Sequence, residues 1–220
     1  MNPDFWHERW QRNEIGFHQQ EINAHLQDFW GQLAVPAGGL VFVPLCGKSR
    51  DLLWLRARGH RVLGVEISPI AVRDFFAENA LTPQVTRQGA FERYETDGLA
   101  ILCGDFFGLT PELVQDVAGV YDRASLIALP PELRTRYAEH SVVILPAAAG
   151  TLLVTMEYPQ NEMSGPPFAV REEEVRRLYA KRYTVSCLFS KDILAENPRF
   201  RERGLGALTE KVYRLVPRAV

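Results

Sequence analysis

The chain has 220 residues, 46% of them hydrophobic and 24% charged, which suffices for one packed α/β or all-β domain without disulfide staples. A formal charge of −2 removes bulk electrostatics as an argument for nucleic-acid binding, and no apolar run approaches the ~20 residues that a membrane-spanning helix needs. Cys46, Cys103 and Cys187 lack C-x-x-C spacing and the first residues are polar, so neither a disulfide framework, a structural zinc site nor a secretory signal is expected, and a reduced, cytoplasmic protein fits.

Residues 1–33 carry no strand pattern. Trp6 and Trp10 share one helical face, which predicts a short helix to about Arg12. A turn at Asn13–Gly16 and a second helix near Gln19–Leu33 follow, broken by Val35-Pro36-Ala37-Gly38-Gly39. Leu40–Leu45 is a continuous apolar run of the kind buried on both faces of a sheet. A helix over Lys48–Arg58, closed by Gly59, precedes a second buried strand, Arg61–Ile67. Ser68-Pro69 caps and opens a helix to about Asn79. This strand–helix–strand–helix rhythm predicts a parallel sheet.

The half-polar stretch Gln84–Glu95, with Gly89 near its middle, reads as a small inserted hairpin. Strands then follow at Leu99–Cys103, Val117–Tyr121 and Gly150–Glu157, with helices from Pro111 and over Pro131–Leu145 between them. A Pro/Gly loop, Tyr158–Pro167, leads to a charged helix at Glu172–Lys181. Tyr183–Phe189 and Leu208–Val216 bring the main strands to seven. Neither repeat nor linker interrupts the chain, so 1–220 reads as one domain.

Open α/β sheets bind ligands outside the carboxyl ends of their strands, at the point where strand order reverses. Those ends carry Leu45-Cys46-Gly47-Lys48, Glu66, Gly104-Asp105 and Asp122-Arg123. Glu66 ends the second strand, 21 positions past Leu45, where an acid can accept from both hydroxyls of a ribose. It can equally serve as the carboxylate at the start of the following helix. The first turn lacks G-x-G-x-x-G, which disfavours a dinucleotide, and Gly47-Lys48-Ser49 matches only the tail of a P-loop. A ribose-bearing ligand without phosphate, such as S-adenosylmethionine, fits better. Asp105 can hold an adenine amino group or an ammonium, or cap the next turn. Arg123 can bind an acidic substrate or pair with Asp122 or a loop carboxylate. Trp6, Trp10 and Phe17 can cap a site or pin the N-terminal helix to the sheet. Cys46 and Cys103 read as small buried hydrophobes. His7, His18, His25, His60 and His140 show no metal-ligand spacing, and no metal is expected.

These residues stand in a longer set of motifs: W-x-x-x-W (Trp6, Trp10), G-F-H-Q-Q-E (Gly16–Glu21), V-F-V-P-L-C-G-K-S-R-D (Val41–Asp51), G-H-R-V-L-G-V-E-I-S (Gly59–Ser68), I-L-C-G-D-F-F (Ile101–Phe107), Y-D-R-A-S-L-I-A-L-P (Tyr121–Pro130) and E-Y-P…G-P-P-F (Glu157–Phe168). Together they resemble the thiopurine S-methyltransferase family, its bacterial branch most closely. The resemblance implies a Rossmann-like S-adenosylmethionine-dependent methyltransferase: an α/β fold with a mostly parallel seven-stranded sheet flanked by helices, and an N-terminal helical extension, 1–33, covering the active site. It implies that Trp10, Leu45, Glu66 and Arg123 contact the cofactor, that Gly104 and Asp105 lie along its adenine side, and that Phe17 and Arg123 face the substrate, with Arg123 also catalytic. S-adenosylhomocysteine would be the product. The acceptor would be a small-molecule thiol, thiopurine or other aromatic or heterocyclic thiol; no nucleic-acid or membrane partner is expected, and the protein is expected to be a monomer. Methylation of selenium or tellurium oxyanions, and a non-catalytic S-adenosylmethionine-binding module, stand as alternatives.

Overall fold

A computed structural model describes residues 3–218. The N-terminal segment supplies α1 (Pro3–Gln11) and α2 (Ala24–Phe29), with a 3-10 turn at Trp30–Leu33. β1 (Leu40–Val43), α3 (Asp51–Ala57), β2 (Arg61–Glu66) and α4 (Pro69–Glu78) follow with short connections. The hairpin β3 (Gln84–Gln88) and β4 (Phe91–Thr96) precedes β5 (Leu99–Cys103). Next come α5 (Pro111–Val114), β6 (Val117–Arg123), α6 (Pro131–Ile144) and β7 (Gly150–Glu157). The remainder is α7 (Glu172–Tyr179), β8 (Tyr183–Asp192), α8 (Pro198–Glu202) and β9 (Thr209–Pro217).

The strands form one sheet in the order β3-β4-β5-β2-β1-β6-β7-β9-β8. The central five are parallel, and the outer two on each flank are antiparallel to their neighbours. Nine strands therefore stand where seven main strands were expected, and four of the eight pairings are antiparallel. The additional pair is the hairpin at Gln84–Glu95. β3 has no buried residue, and β4 buries Phe91 and Tyr94 three positions apart, so neither shows the two-residue alternation of a half-buried strand.

Apolar side chains pack on both faces. Val41 and Val43 of β1 join Leu52, Leu55 and Phe75 from α3 and α4, while Phe42 joins Tyr137, Val175 and Tyr179 from α6 and α7. Truncating a fully buried ring such as Phe75 to alanine would cost about 3–5 kcal/mol. α4 starts as the sequence predicts: Ser68 Oγ accepts from the Ala71 N–H at 3.3 Å and Pro69 occupies the first turn, a cap worth about 1 kcal/mol. The second N-terminal helix is shorter than expected. It begins only at Ala24, because the Asn23 side chain accepts from the His25 and Leu26 N–H groups and fixes the start there.

β6 runs two residues past its predicted end, which sets the geometry of the site. Asp122 and Arg123 are strand residues paired with Leu153 and Val154, so their side chains leave opposite faces of the sheet. β1 lies between β2 and β6, and the chain winds outward on either side of it. The order reverses between β1 and β6, so a crevice opens beyond their carboxyl ends.

Candidate active site

Leu45 follows β1 and Ala124 follows β6, and both hold left-handed backbone, φ 46° and 67°. Such conformations cost a side-chain-bearing residue of order 1–3 kcal/mol and persist where the surroundings enforce them. Three cavities meet here, and all three are lined by Phe17 and Ala124.

The largest of these three, about 220 Å³, runs along Glu66, Ile67, Gly104 and Asp105 toward Phe106 and Tyr137. Glu66 is only 6% exposed. Its Oε2 accepts from the Gly47 N–H at 2.9 Å and its Oε1 from the Ser68 N–H at 2.8 Å. Burial pushes the carboxyl above its usual range, opposed by the N–H groups of Ser68, Gly47 and Ile67. The carboxylate thus bridges the turn after β1 and the start of α4. Each oxygen accepts one of these two bonds, and because a carboxylate has about four acceptor sites and Glu66 lines the cavity, capacity remains for ribose hydroxyls. Gly47 has φ 53°, and a Cβ there would lie 3.3 Å from the Trp10 indole, so the turn and the aromatic wall both need glycine. Asp105 sits at the rim, where its Oδ1 caps a 3-10 turn by accepting from the Phe107 N–H at 3.0 Å.

The second cavity, about 50 Å³, is also lined by Trp10 and Phe17 and gathers the polar side chains of Arg123, His18, Lys48, Asp51 and Tyr121. The Arg123 guanidinium does not pair with Asp122. Its Nη1 lies 3.9 Å from Asp51 Oδ2, which also accepts from the Tyr121 hydroxyl at 3.1 Å, while Asp51 Oδ1 accepts from the Asn23 N–H at 2.9 Å. Asp51 is 1% exposed and ties the N-terminal segment, α3 and β6 together. Lys48 turns away toward α4, with Nζ 2.6 Å from Glu78 Oε1, and so does not act as a P-loop lysine. Burial and the nearby Lys48 ammonium hold His18 below the usual histidine range.

Asp122 points to the other face. Its Oδ2 accepts from the Tyr137 hydroxyl at 2.7 Å, and Tyr137 forms part of the largest cavity's wall. Burial pushes the Asp122 carboxyl up to about 6. Burial also raises the Cys46 thiol, and the Cys103 thiol to about 11, so neither is primed as a nucleophile.

The third cavity, about 150 Å³, is an outer chamber bounded by Trp6, Phe17, Ala124, Ile127, Pro166 and Pro167, with Arg9, Glu14 and Arg203 also on its walls. Phe17 is 37% exposed and meets Trp6 and Trp10 edge to face, each at 5.7 Å between centroids. The proline wall is fixed by two bonds. The Tyr158 hydroxyl donates to Pro167 O at 2.6 Å, and the Phe168 N–H donates to Ile127 O at 2.7 Å.

Six residues singled out in the sequence, Trp10, Phe17, Leu45, Glu66, Gly104 and Asp105, come together around the largest cavity. Arg123 instead lines the polar pocket next to it. Sequence reasoning did not single out Asp51, Tyr121, His18 or Tyr137. An acid in the first turn of α3 reads as a helix-dipole partner, and Tyr121 and Tyr137 read as core; only the fold reveals what they touch.

A family model described as Thiopurine S-methyltransferase matches residues 1–218. The chain is 51% identical over 218 residues to a thiopurine S-methyltransferase of Nitrosospira multiformis, covering 99% of each chain. It is 53% identical over 215 residues to one of Azotobacter vinelandii, covering 98% of this chain and 99% of that one. Among solved structures, it is similar in fold to an S-adenosylmethionine-dependent methyltransferase of Anabaena variabilis, with TM-score 0.66 at 12% identity, covering 99% and 96% of the two chains. A Burkholderia thailandensis 1,6-didemethyltoxoflavin-N1-methyltransferase with bound S-adenosylhomocysteine aligns with TM-score 0.63 at 16% identity, covering 97% and 87%.

Proposed function

The chain belongs to the thiopurine S-methyltransferase family, and we propose that it carries out methyl transfer where its three cavities meet under Phe17. It is an enzyme that uses S-adenosylmethionine to methylate the sulfur of thiopurines. Other aromatic and heterocyclic thiols fit the same outer chamber.

The observation that carries the reading is the Glu66 carboxylate, buried, already fixed by two backbone N–H groups, and with acceptor capacity left toward the cavity. In this reading Glu66 takes the ribose hydroxyls of the cofactor. Gly104 and Asp105 flank the adenine, with Phe106 and Tyr137 as its apolar surroundings. Arg123 takes the carboxylate of the amino-acid end in the polar pocket, positioned by Asp51 3.9 Å away. Trp10 and Leu45 wall the space between.

When bound, S-adenosylmethionine supplies a methyl group already activated on a sulfonium. The protein's remaining task is alignment in a dry site, a contribution that reaches roughly 7–11 kcal/mol in the best intramolecular models. The outer chamber holds the acceptor ring between Trp6, Phe17 and the proline wall. An aromatic thiol is largely thiolate near neutral pH, so a strong general base is not required. In this reading residues 3–33 form a cover over the site, with Trp6, Trp10 and Phe17 excluding water. Arg123 stands one residue from Ala124 at the meeting point, so its positive charge also favours an incoming thiolate there.

Among the described residues no helix is long and apolar enough to cross a membrane. We place the enzyme in the cytoplasm, acting as a monomer on a small-molecule thiol.

Calorimetric titration of Glu66→Ala with S-adenosylhomocysteine tests the assignment. Two charge-assisted hydrogen bonds, each worth roughly 1.5–3 kcal/mol, predict a loss of about 100-fold or more. Wild-type affinity in a folded variant would contradict it.

A further inference from the structure

We propose that the outer chamber prefers acceptors whose aromatic ring carries an anionic substituent, a carboxylate above all, held between Arg9 and Arg203. The inference rests on the reading of that chamber as the acceptor site. It adds a second recognition element, remote from the sulfur.

Much of the chamber's wall is apolar, built from Trp6, Phe17, Ala124, Ile127 and the two prolines. Its charged residues are two arginines and one glutamate, and the glutamate does not saturate the cations. Glu14 Oε2 lies 4.0 Å from Arg9 Nη1, with the two side chains 51% and 32% exposed, a loose pair of the kind worth little in water. Arg9 Nε is buried without a hydrogen-bond partner among the described residues. No carboxylate lies within 4 Å of the Arg203 guanidinium among the described residues, and the guanidinium stands over the Phe200 ring, 6.0 Å from its centroid. Arg134 and Arg176, by contrast, are tightly matched to Glu174 and Glu172, at 2.7 and 2.8 Å.

An apolar slot with two incompletely paired guanidinium groups on its walls suits a flat, hydrophobic ring ending in an anion. Guanidinium groups offer paired N–H donors that match a carboxylate in geometry as well as charge. A neutral ring of the same shape would use the slot and leave both arginines as they are. Arg9 belongs to α1 and Arg203 follows α8, so an anion between them also ties the N-terminal cover to the C-terminal segment. Arg199 already makes one such tie, donating to Gly16 O.

The test is steady-state kinetics with 4-mercaptobenzoate and its neutral carboxamide, at fixed saturating S-adenosylmethionine. The ratio of kcat/KM, carboxylate over carboxamide, is expected to exceed about 10 in the wild type. It should fall about tenfold in Arg9→Gln and in Arg203→Gln. A wild-type ratio near 1, or a ratio that both variants preserve, would overturn the proposal. Gly16→Phe separates this from failure of the chamber reading. A Cβ at Gly16 meets nothing within 4 Å, so the fold accommodates the change while the ring intrudes on the chamber. If KM for both acceptors rises about tenfold, the chamber is the acceptor site and the arginine variants alone decide the anion preference. If neither KM moves, the chamber reading fails and the proposal fails with it.

Discussion

Arg123 Nη1 stands 3.9 Å from Asp51 Oδ2 across the carboxyl end of the sheet, sharing that oxygen with the Tyr121 hydroxyl. The guanidinium is therefore held in place by a group that does not neutralise it at close range. We expect Arg123→Lys to weaken cofactor binding and Arg123→Ala to weaken it further, by about 10- to 100-fold, since a planar fork matches a carboxylate better than an ammonium does. Calorimetry beside a melting curve checks this. Unchanged affinity with a lowered melting temperature would make Arg123 a structural partner of Asp51.

The N-terminal cover should tighten when ligands bind. Phe17 and Trp10 line both the largest cavity and the polar pocket, while the Asn13–Gly16 turn leaves α1 a hinge. Hydrogen exchange with and without S-adenosylhomocysteine should show slower exchange over residues 3–20 in the bound state. Equal protection in both states would remove the cover from the account.

Asp122 gives a pH signature. Its folded carboxyl is pushed up to about 6 by burial, against an ordinary value near 3.9. Between those values the folded state binds more protons than the unfolded state, so Asp122 lowers stability as pH rises through this window, by at most about 3 kcal/mol. Asp122→Asn keeps a carbonyl oxygen for the Tyr137 hydroxyl and cannot ionise. The stability of the variant minus that of the wild type should therefore climb from about pH 3 to about pH 7 and be level below about pH 3. A difference that stays flat from pH 4 to 7 in denaturant titrations would refute this.

Gly104→Ala should destabilise the fold. An added Cβ would lie 2.5 Å from Phe91 Cδ1, and Phe91 is 2% exposed, with little room to yield. Overpacking of this kind costs about 1–3 kcal/mol, to be read from the denaturation midpoint.

Much of the frame was legible because its signals are local. Leu40–Val43 and Arg61–Glu66 announce buried parallel strands by unbroken apolar runs, and Ser68-Pro69 announces a helix start. The place of Glu66 beside the crevice was legible by position, since an acid at the end of the second strand of an open α/β sheet lies next to the point where strand order reverses. The edge hairpin was faint because β3 buries nothing. The shorter α2 followed from the Asn23 cap, which competes with the longer periodic pattern. Asp51 stayed hidden because its partners, Asn23, Tyr121 and Arg123, lie 28, 70 and 72 positions away, a convergence that only the packed sheet creates. The same holds for the outer chamber, where Arg9 and Arg203 come from opposite ends of the chain.

The central claim is that cofactor and acceptor meet beneath Phe17 beside Ala124. A crystal structure with S-adenosylhomocysteine and a thiopurine bound together tests it most directly. The account predicts ribose hydroxyls on the Glu66 carboxylate, the amino-acid end beside Arg123, and the thiopurine ring in the outer chamber with its sulfur turned toward Ala124. A ribose away from Glu66, or a thiopurine seated outside that chamber, would contradict it.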